Sequence, residues 1–195
     1  MLAAALVAAV PCPARTQEAP GARDCATILL TSLGYVKEED RTAEQRLGEG
    51  LSLLALHNGE LSSRTLCNDV VAAVKDWGKS NKVGGTLPIR GAAARLYDST
   101  EDLARLVRDG RYGVIFVSEG LRGSVEDIAR VASDSKVLTT CASKDYVELG
   151  LAMGFAVEDR QLRIYVNRDA ASNEGFQFRS ALIRRATLIG EGARR

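Results

Sequence analysis

Short apolar runs alternate with helix-like patterns along the middle of the chain. Residues 51–58 (LSLLALHN), 112–118 (YGVIFVS) and 136–142 (KVLTTCA) have the length and continuous apolar character of strands buried on both faces. The segments that follow the first two runs, and the segment 99–111, place apolar residues at helical spacing. With a further short strand within 83–98, the order from residue 51 alternates strand and helix. This alternation predicts a mostly parallel sheet with helices on both faces.

Capping and turn residues predict where several of these elements begin and end. Asp24 could cap a first helix, and Ser99 could cap the helix that Gly110 closes. Gly78 is expected to close the long helix that starts near residue 60. The strand within 83–98 follows two glycines and contains Pro88, which favours an edge position in the sheet.

The pattern changes after residue 150. The segments GFAVED and LRIYVN are separated by only a few residues, so they are expected to form an antiparallel hairpin. A short helix at 168–175 and a longer terminal helix at 178–190 follow. We therefore predict one α/β domain at 23–191, with a mostly parallel central sheet, a C-terminal antiparallel hairpin and a terminal helix.

The first 22 residues have the features of a leader. An apolar run from Leu2 to Val10 precedes prolines and small residues, as in a secretory signal peptide, with cleavage expected after Ala14. The alternative is an Ala-rich tail on a cytosolic protein. Pro11 precedes Cys12, which disfavours a lipid anchor on this cysteine. Export to the periplasm is the preferred interpretation.

Composition and charge exclude one class of partner and leave the predicted fold unchanged. The chain has 195 residues, 46% hydrophobic and 26% charged, which suits one globular domain. Its net charge of +1 leaves no basic footprint, so we expect no nucleic acid partner. The Arg184-Arg185 pair is interpreted as solvated helix charge.

Cysteine and histidine usage argues against a metal site. The four cysteines have no CxxC spacing and the single histidine is His57, so close ligand pairs are missing. Without Cys12, two of the remaining three could form a disulfide, and the spacing does not choose the pair. The alternative is that these three are small buried residues. They are Cys25, Cys67 and Cys141.

Motifs for catalysis or cofactor binding are weak. No GxGxxG, GxxxxGK[ST] or GxSxG motif occurs. Gly120 and Gly123 near a helix start could bind an anion, although an ordinary turn explains them as well. His57 ends an apolar strand where a ligand could reach it, but a structural role is favoured. We therefore expect neither an enzyme nor a cofactor.

The last third of the chain resembles the YfiR family of bacterial periplasmic proteins. The matching pattern is VLT at 137–139, then Gly154-Phe155, then the hairpin strand LRIYVN that ends at Asn167. Small residues and a final apolar segment follow at family spacing: Ala170, Ala171, Gly175, Ser180, Leu182 and Ala186. The chain departs from the family in lacking a tryptophan after the first helix and in carrying Arg185. We interpret the signature residues as structural, with Asn167 capping the next helix through the amide of residue 169 or 170.

The resemblance implies regulation. YfiR-like proteins repress a membrane-bound diguanylate cyclase through its sensor domain, which lowers cyclic di-GMP and biofilm formation, and an outer-membrane lipoprotein can sequester them. The expected partner is therefore such a cyclase or another sensor protein, with an outer-membrane lipoprotein and a homodimer left open. Two other functions remain as alternatives: a periplasmic small-ligand-binding domain that serves a transporter or sensor, and a cytosolic flavodoxin-like enzyme.

Overall fold

One seven-stranded sheet forms the centre of the protein. The structure, a computed structural model, describes residues 20–36 and 50–190. The strands are β1 (Leu51–His57), β2 (Ile89–Leu96), β3 (Val114–Val117), β4 (Leu138–Cys141), β5 (Met153–Glu158), β6 (Gln161–Asn167) and β7 (Thr187–Ile189). Their spatial order is β2-β1-β3-β4-β5-β6-β7. Among these seven strands, only the β5–β6 pair is antiparallel, which confirms the predicted fold class and the edge position of β2.

Helices cover both faces of this sheet. They are α1 (Ala22–Leu33), α2 (Leu61–Gly78), α3 (Thr100–Gly110), α4 (Val125–Ser135), α5 (Lys144–Glu148), α6 (Arg168–Asn173) and α7 (Ser180–Ile183), with a 3₁₀ turn at Arg122–Ser124. Residues from α1, α2, α6 and α7 pack in one core. Residues from α3, α4 and α5 pack in a second core on the opposite face. Two separate cores follow from the continuous apolar runs of the central strands, which present side chains to both faces.

The helix ends show which capping predictions hold. Ser99 caps α3, because its hydroxyl accepts a hydrogen bond from the amide of Asp102 at 3.1 Å. The prediction that Asp24 caps α1 is wrong, because Gly21 is the N-cap residue and Asp24 lies inside the first turn. A carboxylate there still interacts favourably with the helix dipole. Gly78 and Gly110 are the last residues of α2 and α3, as predicted.

The hairpin turn and the C-terminal segment differ in how well they were predicted. Asp159 and Arg160 both have positive φ, as a two-residue hairpin turn of type I′ requires. The helix predicted over 178–190 is present only as α7, and residues 187–189 form β7 instead, parallel to β6. Leu188 packs against the core on one face of the sheet and Ile189 against the core on the other face. Successive side chains therefore point to opposite faces, as in a strand that pairs with the edge of β6.

The predicted leader lies mostly outside the described residues, together with Cys12 and the expected cleavage after Ala14. Among the helices that the structure describes, none combines the length and apolar character needed to cross a bilayer.

Candidate functional site

The strand order creates one crevice where ligands bind in related folds. β1 and β3 are neighbours in the sheet. The strand that follows β1 in the chain, β2, lies on one side of this pair, and the strand that follows β3, β4, lies on the other side. In open α/β sheets, ligands bind at the carboxyl ends of two strands arranged in this way. Here this crevice is bridged by side chains. The hydroxyls of Ser63 and Ser118 are 2.6 Å apart, and the amide of Asn58 donates to the Ser63 hydroxyl at 3.2 Å. Hydrogen bonds among the protein's own polar groups therefore span this crevice.

His57 lies at the carboxyl end of β1 in a structural role. Its Nδ1 accepts a hydrogen bond from the amide of Gly59 at 3.2 Å, and the residue is buried. Burial, together with the charge of Arg64, lowers the pKa of the imidazole. A neutral imidazole used as a backbone acceptor fits the structural interpretation.

Gly120 serves a turn. Its φ is +85°, a conformation that favours glycine, and a Cβ built on it would lie 2.2 Å from Asn58 Nδ2, so the Asn58 side chain would have to move. The next amide, that of Leu121, already donates to the hydroxyl of Tyr146 at 3.0 Å. Gly123 lies within the 3₁₀ turn before α4. These contacts favour an ordinary turn at the place where anion binding was considered.

The three described cysteines are buried free thiols. Each donates to a backbone carbonyl: Cys25 to Pro20, Cys67 to Leu56 and Cys141 to Ser143. The disulfide left open by the sequence is therefore not formed among them, and the alternative of small buried residues describes them. Burial raises the thiol pKa to about 12, 11 and 12, respectively.

The Gly154-Phe155 pair of the family signature lies in β5 and has a packing role. A Cβ on Gly154 would lie 2.5 Å from Val147 Cγ2 and 2.8 Å from the carbonyl oxygen of Ser143. Because the backbone of α5 approaches so closely, only glycine fits. Phe155 is fully buried in the core on the α1 and α2 side.

Asn167 joins the hairpin to α6 and to α5. Its Oδ1 accepts from the amide of Ala170 at 3.0 Å, as predicted, and its Nδ2 donates to the carbonyl of Val147 at 3.3 Å. The buried Ala171 lets α6 pack on the core. Gly175 has φ +84°, and the next amide, that of Phe176, donates back to Ala171. This is a Schellman-type helix end.

A buried carboxyl group lies directly beside these signature residues. Glu174 is 1% exposed, and its two oxygens accept hydrogen bonds from the amide (2.8 Å) and the hydroxyl (2.5 Å) of Thr139. The same hydroxyl accepts from the amide of Ala152 at 2.8 Å. Burial raises the pKa of Glu174 to about 8, against the lowering effect of both hydrogen bonds. The carboxyl group is therefore mostly protonated at neutral pH.

A cavity of about 470 Å³ opens above this network. Its walls include Arg130 and Ser133 of α4, Asn167, and Asp169, Asn173 and Glu174 from α6 and its C-cap. The cavity therefore presents a cation, the carboxyl group of Asp169 and amides beside the signature residue Asn167. Larger hollows lie between α3 and α4, and between α1 and α2. Of these three hollows, the first is the one that signature residues line (Asn167 and Ala170), so it is the candidate functional site.

This site is suited to binding. Arg130 and Asp169 can make charged contacts at its rim, whereas Glu174 is held by Thr139. Within residues 20–36 and 50–190, no cluster of three or more His, Cys, Asp or Glu residues could hold a metal ion.

The sequence analysis identified neither Glu174 as a buried residue nor Thr139 as its hydrogen-bond partner. A glutamate next to a helix-ending glycine is usually exposed, and no local pattern distinguishes it. Ser180 and Leu182 of the signature lie in α7, where only Leu182 is buried. Leu182 belongs to the core on the α1 side, Ser180 is exposed, and neither lines the cavity.

The comparison with protein families identifies the chain. The model of the YfiR/HmsC-like family, DUF4154, matches residues 58–187, which run from the end of β1 to the start of β7. YfiR-like proteins form a regulatory, non-catalytic and periplasmic family. No curated protein matches the chain.

Solved structures share the fold. A conserved domain protein from Vibrio cholerae superposes with a TM-score of 0.61 at 14% identity, over 87% of this chain and 60% of that one. The ABC domain in complex with L-Trp from Streptococcus pneumoniae gives 0.59 at 13% identity, with the same coverages. The ligand-free, open structure of CD0873, a substrate-binding protein from Clostridium difficile, gives 0.51 at 14% identity, over 76% and 57%. The chain therefore spans about three fifths of these proteins. By the family match, this protein is a member of the YfiR/HmsC-like family.

Proposed function

We propose that this protein is a non-enzymatic periplasmic regulator that binds the sensor domain of an inner-membrane diguanylate cyclase and represses it. The observation that carries the proposal is the family match over residues 58–187, within which the signature residues Asn167 and Ala170 line one cavity. The leader expected at 1–22 would deliver the remaining domain to the periplasm.

Repression requires only differential binding. A regulator that binds the inactive state of the cyclase tenfold more tightly than the active state shifts that equilibrium by about 1.4 kcal/mol per bound molecule. The protein contributes a preformed surface, because Asn167 and Glu174 fix the walls of the cavity through hydrogen bonds to the backbone. Arg130 and Asp169 supply the charged rim.

Deletion of the gene in its native host tests the regulation. We expect cyclic di-GMP to rise and to return to its original level when the gene is restored. Unchanged cyclic di-GMP in a strain whose cyclase is shown to be active would contradict the proposal.

A matched pair of charge reversals tests the surface. Arg130 pairs with Asp127 on α4, and Arg105 pairs with Asp102 on α3, so both are exposed partners of an i,i+3 ion pair. Only Arg130 lines the signature cavity. We expect Arg130→Glu to abolish complementation of the deletion strain and Arg105→Glu to complement. Equal complementation by both variants would place the partner's contact elsewhere.

A second candidate function is small-ligand binding for a transporter or sensor. It is supported by the fold shared with a domain solved in complex with L-Trp and with a substrate-binding protein, and by the β1/β3 crossover. Against it, Ser63, Ser118 and the amide of Asn58 already bond to one another at the place where such a ligand would lie. A thermal-shift screen with small metabolites distinguishes the two functions: a saturable stabilisation by one metabolite would favour this candidate.

A further inference from the structure

One asparagine–glycine step lies at the carboxyl end of β1. The chain has five asparagines, and only Asn58 is followed by a glycine. A backbone nitrogen that belongs to glycine reaches a neighbouring side chain most easily, because glycine has no Cβ to obstruct the approach. Gly59 is exposed with φ +92°, and Asn58 is half-buried. The asparagine side chain, the following amide and solvent water therefore meet at this turn.

Two hydrogen bonds prepare the atoms of this step for a reaction. The amide of Gly59 donates to Nδ1 of His57 at 3.2 Å, a distance at which a general base can take a proton. Burial and the charge of Arg64 lower the pKa of the imidazole, so the ring is unprotonated at neutral pH and can accept that proton. The amide of Glu60 donates to Oδ1 of Asn58 at 3.0 Å, where it polarises the side-chain carbonyl group.

We propose that Asn58 is a self-modification site, at which the folded protein converts this asparagine to aspartate or isoaspartate. The Gly59 amide gives its proton to His57, and its nitrogen forms a bond to Asn58 Cγ. The Glu60 amide stabilises the negative charge that develops on Oδ1. The bond from Cγ to Nδ2 then breaks, and Nδ2 leaves as ammonia with the proton that His57 received. One water molecule hydrolyses the resulting succinimide ring at either of its carbonyl groups.

The conversion changes how the ends of β1 and β3 are joined. Asn58 Nδ2 donates to the carbonyl of Gly120, in the turn after β3, at 3.5 Å. A carboxylate has no proton to donate, so this contact is lost, and a negative charge is added near the exposed Glu60. Isoaspartate also adds one methylene group to the backbone before Gly59. Because ammonia is lost to solvent, the conversion is one-way and accumulates as the molecule ages.

A glutamine at residue 57 separates the base from the hydrogen bond. Its side-chain oxygen can accept from the Gly59 amide, but it cannot take the proton. Full-length wild type and His57→Gln are incubated at neutral pH, and peptide mass spectrometry follows residue 58, with the exposed Asn81 as the internal reference. In folded wild type we expect Asn58 to convert faster than Asn81. We also expect it to convert about tenfold or more faster than in folded His57→Gln. In urea, the two chains should convert at the same rate.

A second pair of variants tests the Glu60 amide, and it decides if His57→Gln does not fold. Glu60 has φ −62°, which proline adopts, so Glu60→Pro removes the N–H at the native backbone angle. Glu60→Gln keeps the N–H and is the matched control. We expect Asn58 to convert about tenfold or more slowly in Glu60→Pro than in Glu60→Gln.

Four results would overturn the proposal. In folded wild type, the decisive one is conversion of Asn58 no faster than that of Asn81. Equal rates in folded wild type and folded His57→Gln would show that His57 is not the base. Equal rates in the two Glu60 variants would remove the role of the amide. An effect of His57→Gln that is as large in urea as in the folded protein would assign the rate to local sequence alone.

Discussion

Both oxygens of the Glu174 carboxyl group bond to one residue, Thr139, through its amide at 2.8 Å and its hydroxyl at 2.5 Å. The contact joins the C-cap of α6 to the first half of β4, and it is fully buried. Hydrogen bonding satisfies the carboxyl group, but burial still disfavours its charged form. The Glu174 carboxyl group therefore makes the free energy of unfolding depend on pH.

We expect stability to fall as the pH rises above about 5. The pKa of Glu174 is raised from 4.5 to about 8 in the folded protein, so between these values the folded state holds a proton that the unfolded state has lost. The free energy of unfolding should fall by up to about 1.4 kcal/mol per pH unit in this window and level off above pH 8.

Urea unfolding of Glu174→Gln at several pH values tests this effect. The glutamine mimics the neutral carboxyl group, so the variant should show a flatter pH dependence than wild type. Glu126→Gln, an exposed substitution on α4, should retain the wild-type slope. The same slope in wild type and Glu174→Gln would contradict the raised pKa.

Asn167→Ala should destabilise the protein by about 1 kcal/mol or slightly more. It removes the N-cap bond to Ala170 and the bond to the carbonyl of Val147. Asn167→Ser restores a capping oxygen but cannot reach Val147 as the amide does. We expect its free energy of unfolding, from chemical denaturation, to lie between those of wild type and Asn167→Ala. Equal stability of the alanine and serine variants would show that the cap contributes little.

Ala171→Leu should destabilise folding by about 1–3 kcal/mol, because a larger side chain must enter a filled core beside Phe176. Ser172→Leu adds a leucine at the next position of the same helix, where the side chain is exposed, and should change stability little. Thermal unfolding followed by circular dichroism compares the two variants. A similar melting temperature for both would indicate free space around Ala171.

The thiols of Cys25, Cys67 and Cys141 should resist modification in the folded protein. They are buried, and their raised pKa values keep them protonated. In a Cys12→Ser variant, we expect a disulfide reagent such as DTNB to react with these thiols only after unfolding. A reducing agent should leave the melting temperature unchanged. A drop in melting temperature on reduction would instead indicate a disulfide.

Sequence patterns predicted the elements whose signals are local. Ser99 and Asn167 cap helices because their side chains reach amides three residues ahead, within their own segment. The β5–β6 hairpin followed from a two-residue connection, which allows only antiparallel neighbours. The family signature likewise lies in one continuous stretch, since close packing at Gly154 and the helix end at Gly175 restrict single positions.

What the sequence determined by itself was the alternation of strands and helices, the hairpin, the caps Ser99 and Asn167, and the family. Tertiary structure alone decided the rest. Thr187 to Ile189 carries a helix-compatible pattern, but the free edge of β6 offers backbone partners and makes it a strand. Local sequence predicts that Glu174 is exposed. In the folded chain it is instead buried against Thr139, 35 residues away in sequence. Such contacts depend on which segments the sheet order makes neighbours, and no local pattern encodes that order.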